Sequence, residues 1–258
     1  MRLAGMPLVG EGLRTYASHR AILRTYLLIP FALAIALLVA WPQVTAGDVF
    51  RGAVATDPFS VVGVTLLVFL LYLGGRYGEE DFSPDALGNL REYVTLTPAS
   101  VAALVAGKAV FGILHTIFLL ALGVPFLLAA YSVSGAPAGS LGSALAVLAS
   151  ATFAARMYGL LLLAALGQRR LLRSAALIGS IGGFLLGSYL LLPAVNPIAA
   201  LLRGTGESVA RETALLVLLN FAVSLLFTAA VTVVLLRARH AARRAARIGS
   251  GPEGDRRG

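Results

Sequence analysis

The residues that could carry chemistry in this chain are few, and they lie in apolar surroundings. Arg156 stands inside the run 141–167, which holds no other charge. A guanidinium near mid-depth in a bilayer costs at least ~2.5–3.5 kcal/mol on insertion scales, so it should turn toward the protein interior or a wet cavity. No acidic residue occupies the apolar runs to pair with it. Its partners are then carbonyls, hydroxyls, water, a second subunit or an anionic substrate. The competing reading is a snorkelling side chain with a different helix boundary. His115, in the run 104–131, is a single histidine, and such a residue is more often hydrogen-bonded structure than a ligand.

Two further patterns repeat at steps of four. Asn220, Ser224, Thr228 and Thr232 form a polar stripe along 213–236. Such a stripe lines a substrate path or bonds neighbouring helices together. Gly179, Gly183 and Gly187, with Ala175 one step earlier, form a groove along 174–192. Glycine costs up to ~1 kcal/mol in a helix interior. Close packing against a neighbouring helix, of this chain or of a second copy, accounts for that cost.

The remaining chemistry is bounded by what the sequence lacks. No G-x-x-x-x-G-K-[ST] phosphate loop occurs, since Gly107-Lys108 has neither the preceding glycine nor the following hydroxyl. H-E-x-x-H, clustered His/Cys and G-x-S-x-G are missing too. Zero cysteines exclude disulfides and thiolate metal sites. No metal, no cofactor and no catalytic residue are therefore expected on this chain. An ion-driven carrier usually needs an intramembrane carboxylate, which the runs do not supply.

The elements that must position these residues are membrane spans. The chain of 258 residues is 58% hydrophobic and 13% charged, with a mean hydropathy of +0.86. That is too little charge to coat a soluble domain. A span needs about 20 mostly apolar residues. The runs 22–41, 59–75, 104–131, 141–167, 174–192 and 213–236 predict an all-α integral membrane protein of about six transmembrane helices. The second is short, and the third is longer than one span needs. One transmembrane domain, 1–237, is followed by a basic tail, 238–258.

Charge orients the spans. With the N-terminus inside, Arg2, Arg14, Arg20, Arg24, Arg76, Arg91, Lys108, Arg169, Arg170, Arg173 and the seven arginines from Arg237 to Arg257 are cytoplasmic. Arg51, Arg203 and Arg211 lie outside. This positive-inside bias predicts a multi-pass protein of the cell membrane with both termini cytoplasmic. The net charge of +9 thus serves topology and contact with anionic lipids, not nucleic acid.

Three connecting segments add detail. Residues 8–24 set Leu8, Val9, Leu13, Tyr16 and Leu23 near one side of a helix, as in an interfacial amphipathic helix or an ordinary charged leader. The cytoplasmic loop 76–100 carries Glu79, Glu80, Asp81, Asp85 and Glu92, five of the twelve acids. Ser83-Pro84-Asp85 suits a helix start, and a short helix over about 84–95 would end before Thr97-Pro98. Such a helix is either a docking surface or a solvated connector. The external segment 193–212 is long for a hairpin, and Ile198–Leu202 is apolar enough to dip into the membrane.

The stretch Arg91-Glu92-Tyr93-Val94-Thr95-Leu96-Thr97-Pro98-Ala99-Ser100, then Gly107-Lys108, then Leu119 through Gly123-Val124-Pro125-Phe126, resembles the membrane subunits of type-two ABC transporters. Asn196-Pro197 fits that pattern, as does the overall plan of leader, six spans, one cytoplasmic loop and an external re-entrant segment. The pattern departs at Gly88-Asn89-Leu90, where family members carry a Gly-Thr pair. The resemblance implies the permease subunit of an ATP-driven exporter. Two such subunits, identical or related, would work with two copies of a separate ATP-binding subunit, which holds the ATP and Mg. It also makes 79–100 a coupling helix, with Glu79, Glu80, Asp81, Arg91, Glu92, Thr97 and Pro98 at the ATPase contact. Arg156, Asn220, Ser224 and Thr228 become candidates for the substrate path, and Gly179, Gly183 and Gly187 for the dimer contact. Rival readings are an ATP-independent transporter or channel, and a non-transporting scaffold or sensor.

Overall fold

The computed structural model describes residues 20–41, 57–79, 90, 94–95, 100–167, 169–202 and 207–249. Among them the ordered elements are all helical. In chain order they are α1 (Arg20–Ala40), α2 (Pro58–Glu79), α3 (Val101–Ser134), α4 (Gly139–Leu166), α5 (Arg170–Leu191), a 3₁₀ turn (Pro193–Val195), α6 (Pro197–Leu202) and α7 (Glu207–Gly249). Five of these, α2, α3, α4, α5 and α7, are long and apolar enough to cross a membrane. The apolar part of α1, Arg24–Ala40, is shorter. The helices are those of a multi-pass membrane protein.

Local chemistry sets the helix ends. Asp57 caps α2, its carboxylate accepting from the backbone N–H of Phe59 at 3.1 Å and of Ser60 at 3.2 Å, and Pro58 opens the helix. The sequence pattern stops this span at 75, but the helix runs on to Glu79. Arg76 ends the apolar run, and Gly74, Gly75 and Gly78 are all carried within the helix. Ser100 caps α3 through Ala103 N–H at 3.1 Å, and Gly135, at φ 65°, closes it in the left-handed region. At 34 residues α3 is about 51 Å long, well beyond ~30 Å of hydrocarbon.

The helices are not equally embedded. The most apolar stretches of α2 and α4 are each 67% buried, against 33% for α3, 22% for α7 and 11% for α5. α2 and α4 therefore form the centre, and the other helices surround them. Lipid tails are as apolar as leucine, so close packing, not exclusion from water, must hold this pair together.

Glycine supplies that closeness. A methyl group on Gly78 would run into the carbonyl of Arg156, and one on Gly159 into the carbonyl of Gly75. One on Gly74 would lie 2.8 Å from the Thr152 carbonyl. Backbone thus meets backbone along a seam from Gly74 to Gly78 on α2 and from Thr152 to Gly159 on α4.

Two apolar clusters flank this seam. One joins Ile29 and Leu33 of α1, Leu66 and Leu70 of α2, Leu119 and Leu127 of α3, Leu148 of α4 and Leu201 of α6. The other sits at the Glu79 end of the bundle and joins Leu104 of α3 and Met157 and Leu160 of α4 to Val231 and Leu235 of α7. It also takes in Leu90 and Val94, which are 2% and 1% exposed.

At the opposite end, α6 folds back onto the first cluster. Asn196 is wholly buried and makes four bonds. Its amide donates to the Leu185 carbonyl and to Ser188 Oγ, both at 2.7 Å, tying α6 to the end of α5. Its carbonyl oxygen accepts from Ile198 N–H at 2.8 Å and Ala199 N–H at 3.0 Å, capping α6. The apolar stretch at 198–202 is thus a short inward-packed helix, with Ala199 and Leu201 buried.

Replacing Gly159 by valine should force α2 and α4 apart and cost about 1–3 kcal/mol or more, as overpacking does. Gly183→Val, on a face with open space around it, should leave the stability of a single chain unchanged. Unfolding of the two variants in detergent micelles, followed by circular dichroism, checks the contrast. Equal loss in both would refute the seam.

Candidate functional site

The central seam places Arg156. Its backbone carbonyl lies against Gly78, and its side chain extends to α3, where Gly112 leaves room: a methyl there would stand 2.9 Å from Arg156 Cδ. Phe111, Gly112 and His115 fall on one face of α3 by helical spacing. The guanidinium lies over the Phe111 ring, 5.2 Å from its centroid, and Nη1 donates to His115 Nδ1 at 2.6 Å. Arg156 is 2% exposed. The side chain faces the protein interior and does not snorkel.

The bond fixes the histidine. A guanidinium can only donate, so Nδ1 accepts and the ring hydrogen sits on Nε2. Nε2 then donates to Tyr26 Oη of α1 at 2.8 Å. Tyr77 of α2 packs its ring edge-on against His115, centroids 4.9 Å apart, and Phe118 meets Tyr26 at 5.1 Å. Four helices therefore converge on one buried cation. A neutral imidazole with aromatic rings spreads its charge where the sequence offered no acid. This constellation has a cation and a neutral base but no nucleophile. Among the described residues no group of three or more His, Cys, Asp or Glu could hold a metal ion.

The polar stripe of α7 lies apart from this cluster. Asn220 donates to Ser150 Oγ of α4 at 3.1 Å, and Ser224 is 2% exposed. Ser224, Thr228 and Thr232 each return their hydroxyl to the carbonyl four residues earlier, at 2.7, 2.7 and 2.9 Å. The sequence joined Arg156 and the stripe as parts of one path. In this structure they sit on different sides of α4, one toward α3 and one toward α7.

Glu79 is the described member of the expected ATPase contact. Its side chain is wholly buried and pairs with Arg76. Ser174 of α5 donates to the same carboxylate oxygen at 3.0 Å and takes a bond from Arg76 Nη1 at 2.6 Å. Glu79 thus ties the end of α2 to the start of α5. Glu80, Asp81, Arg91, Glu92, Thr97 and Pro98 lie outside the described residues, as does most of the expected leader helix at 8–24.

Gly179, Gly183 and Gly187 point into open space, with no atom within 4 Å of an added methyl. Only Arg173, Leu177 and Ser188 of α5 are buried. The neighbour that the groove implies does not belong to the described part of this chain. The α2 glycines that meet a neighbour at the seam, Gly74, Gly75 and Gly78, were not singled out by the sequence, although Gly74 and Gly78 share the same step of four. His115 was given a minor place, and Tyr26 none. A buried arginine without an acid is the signal that points to them, since its partner must be an acceptor on another apolar helix.

No protein-family model matches this chain, and no curated protein or solved structure matches it either.

His115→Leu should leave the guanidinium short of its imidazole acceptor and lower stability by about 1–3 kcal/mol or more. Adding Arg156→Met should recover part of that loss, because both polar partners are then gone. A double-mutant cycle on unfolding in micelles measures the coupling. Additive losses would show that the two residues are not energetically joined.

Proposed function

We propose that this chain is the membrane subunit of an ATP-driven ABC exporter. Six helices cross the cell membrane, with α1 as the first, and both termini lie in the cytoplasm. Two such subunits form the substrate path, and two separate ATP-binding subunits, which carry ATP and Mg, drive it. The observation that carries this reading is the burial of Leu90 and Val94, two described residues between α2 and α3. Leu90 and Val94, four residues apart, are buried against α3, α4 and α7, a spacing suited to one face of a short helix. A freely solvated connector would have no reason to bury them. The burial of these two residues supports contact between this part of the chain and the bundle, which is what transmission from a motor subunit requires. The resemblance of 91–126 to type-two ABC permeases points the same way.

In this reading the polar residues of the loop, Glu80, Asp81, Arg91 and Glu92, meet the ATP-binding subunit. Thr97-Pro98 sets the angle into α3. Glu79 acts from behind that surface, linking the root of the loop to α5. The open glycine face of α5 takes the second permease subunit, which explains why glycines are spent where the described residues place nothing. Arg156 holds the helices around it in register, and Asn220, Ser224 and Thr228 lie along the α4–α7 seam that substrate-linked motion would work on.

Glu92→Arg should reduce the amount of ATP-binding subunit that co-purifies with the chain, or leave assembly intact and uncouple hydrolysis from transport. Both are read in proteoliposomes, as nucleotide-dependent movement of a lipid-like or amphipathic cargo alongside ATP turnover. Unchanged association together with unchanged transport would count against the docking role. Transport without any nucleotide would instead favour an ATP-independent carrier or channel.

A further inference from the structure

At the Asp57 end of the bundle lies a cavity of about 220 Å³ that none of the roles above uses. The start of α2, the turn between α3 and α4, α6 and α7 all contribute to its wall. Its volume lies below the roughly 300–1,000 Å³ of sites for drug-sized ligands, so its occupant is small.

The lining selects the charge of that occupant. Among the described residues that line it, Asp57 is the one that carries charge; the rest are apolar side chains, hydroxyls and small residues. An anion would meet a carboxylate with no basic side chain to offset it. A cation would meet that carboxylate, the Phe59 ring and the hydroxyls of Ser140, Ser143 and Thr213. The Asp57 carboxylate has capacity left. Oδ1 accepts from Phe59 N–H, and Oδ2 from the N–H and hydroxyl of Ser60, whereas a carboxylate offers about four lone-pair sites.

A second observation is independent of Asp57. Ser140, in the first turn of α4, is 6% exposed, and its hydroxyl bonds to no atom of the described protein. Buried hydroxyls are almost always satisfied, and one left alone costs stability. A ligand in the cavity that Ser140 lines would supply the missing partner.

We infer that this cavity binds a small organic ammonium group, carried either by a free amine or by the ethanolamine headgroup of a lipid. The inference does not depend on the transport reading. Ammonium hydrogens bond to Asp57 Oδ1, the charge rests against Phe59, and an accompanying hydroxyl or ester oxygen meets Ser140.

The test uses the full chain in nanodiscs of phosphatidylglycerol, titrated with ethanolamine by calorimetry in sodium chloride. Saturable binding of one ethanolamine per chain is expected. Asp57→Asn keeps a good helix cap while removing the charge, and should weaken binding about tenfold or more, as loss of a charge-assisted bond does. Ser140→Ala should weaken binding several-fold yet leave the unfolding temperature of the ligand-free chain unchanged or raised. Discs containing phosphatidylethanolamine distinguish the source. If the headgroup is the occupant they block free ethanolamine, and if a free amine is, they do not. Absence of saturable binding in the phosphatidylglycerol discs, or binding that Asp57→Asn leaves intact, would overturn the inference. A sodium-filled site would give the first of those results.

Discussion

The close approach of α2 and α4 is the constraint on which the rest of the structure depends. No hydrophobic force pulls two helices together inside lipid, so the contact must be won by fit. Here fit means the removal of side chains. With glycine at 74, 78 and 159, carbonyls of each helix lie where a neighbour's methyl would otherwise stand. The consequence travels outward from there. The backbone of Arg156 is part of the seam, so the direction of its side chain is set by the crossing itself. Glu79 lies one residue beyond Gly78, and its burial follows from the same closeness.

Most polar groups in the described interior obey one rule: each is closed by a partner that the fold itself supplies. Arg156 uses a neutral histidine and rings, the α7 hydroxyls use their own backbone, and Asn196 spends both ends of its amide on four groups. Such closures hold helices in register at little electrostatic cost, because none requires a second buried charge. The Arg76–Glu79 pair is the ionic exception, and it stands at a helix end. The hydroxyls of Thr116 and Ser140 break the rule, and of the two only Ser140 lines the cavity at the Asp57 end.

How much of this was legible in the sequence depends on range. Helix positions came from local apolar runs; caps and glycines moved some boundaries, as at Asp57, Ser100 and Gly78, and the last helix runs past its apolar stretch into the basic tail, to Gly249. The inward fold of 198–202 was visible from its apolarity. Its cause was not, since Asn196 is polar and had value in the sequence only as part of a motif. Arg156 announced itself by its cost, but its partner is 41 residues away on another helix. Glycine periodicity was informative only in part. A step of four marks a smooth helix face, yet it does not say whether that face meets the same chain. The groove on α5 stood out, while the seam on α2 was hidden by a doubled glycine at the end of a short apolar run.

The attachment of α5 has a mechanical consequence. Its polar ties to the bundle include three serines spread along its length: Ser174 to Glu79, Ser180 to Tyr158 and Ser188 to Asn196. Hydrogen bonds between membrane helices average about 0.6 kcal/mol each, so three such ties sum to roughly 2 kcal/mol. A difference of that size shifts an equilibrium by little more than one order of magnitude. α5 is therefore a beam on three light fasteners beside a tightly joined central pair. A force applied at the root of the 80–99 connector would reach the first fastener before anything else.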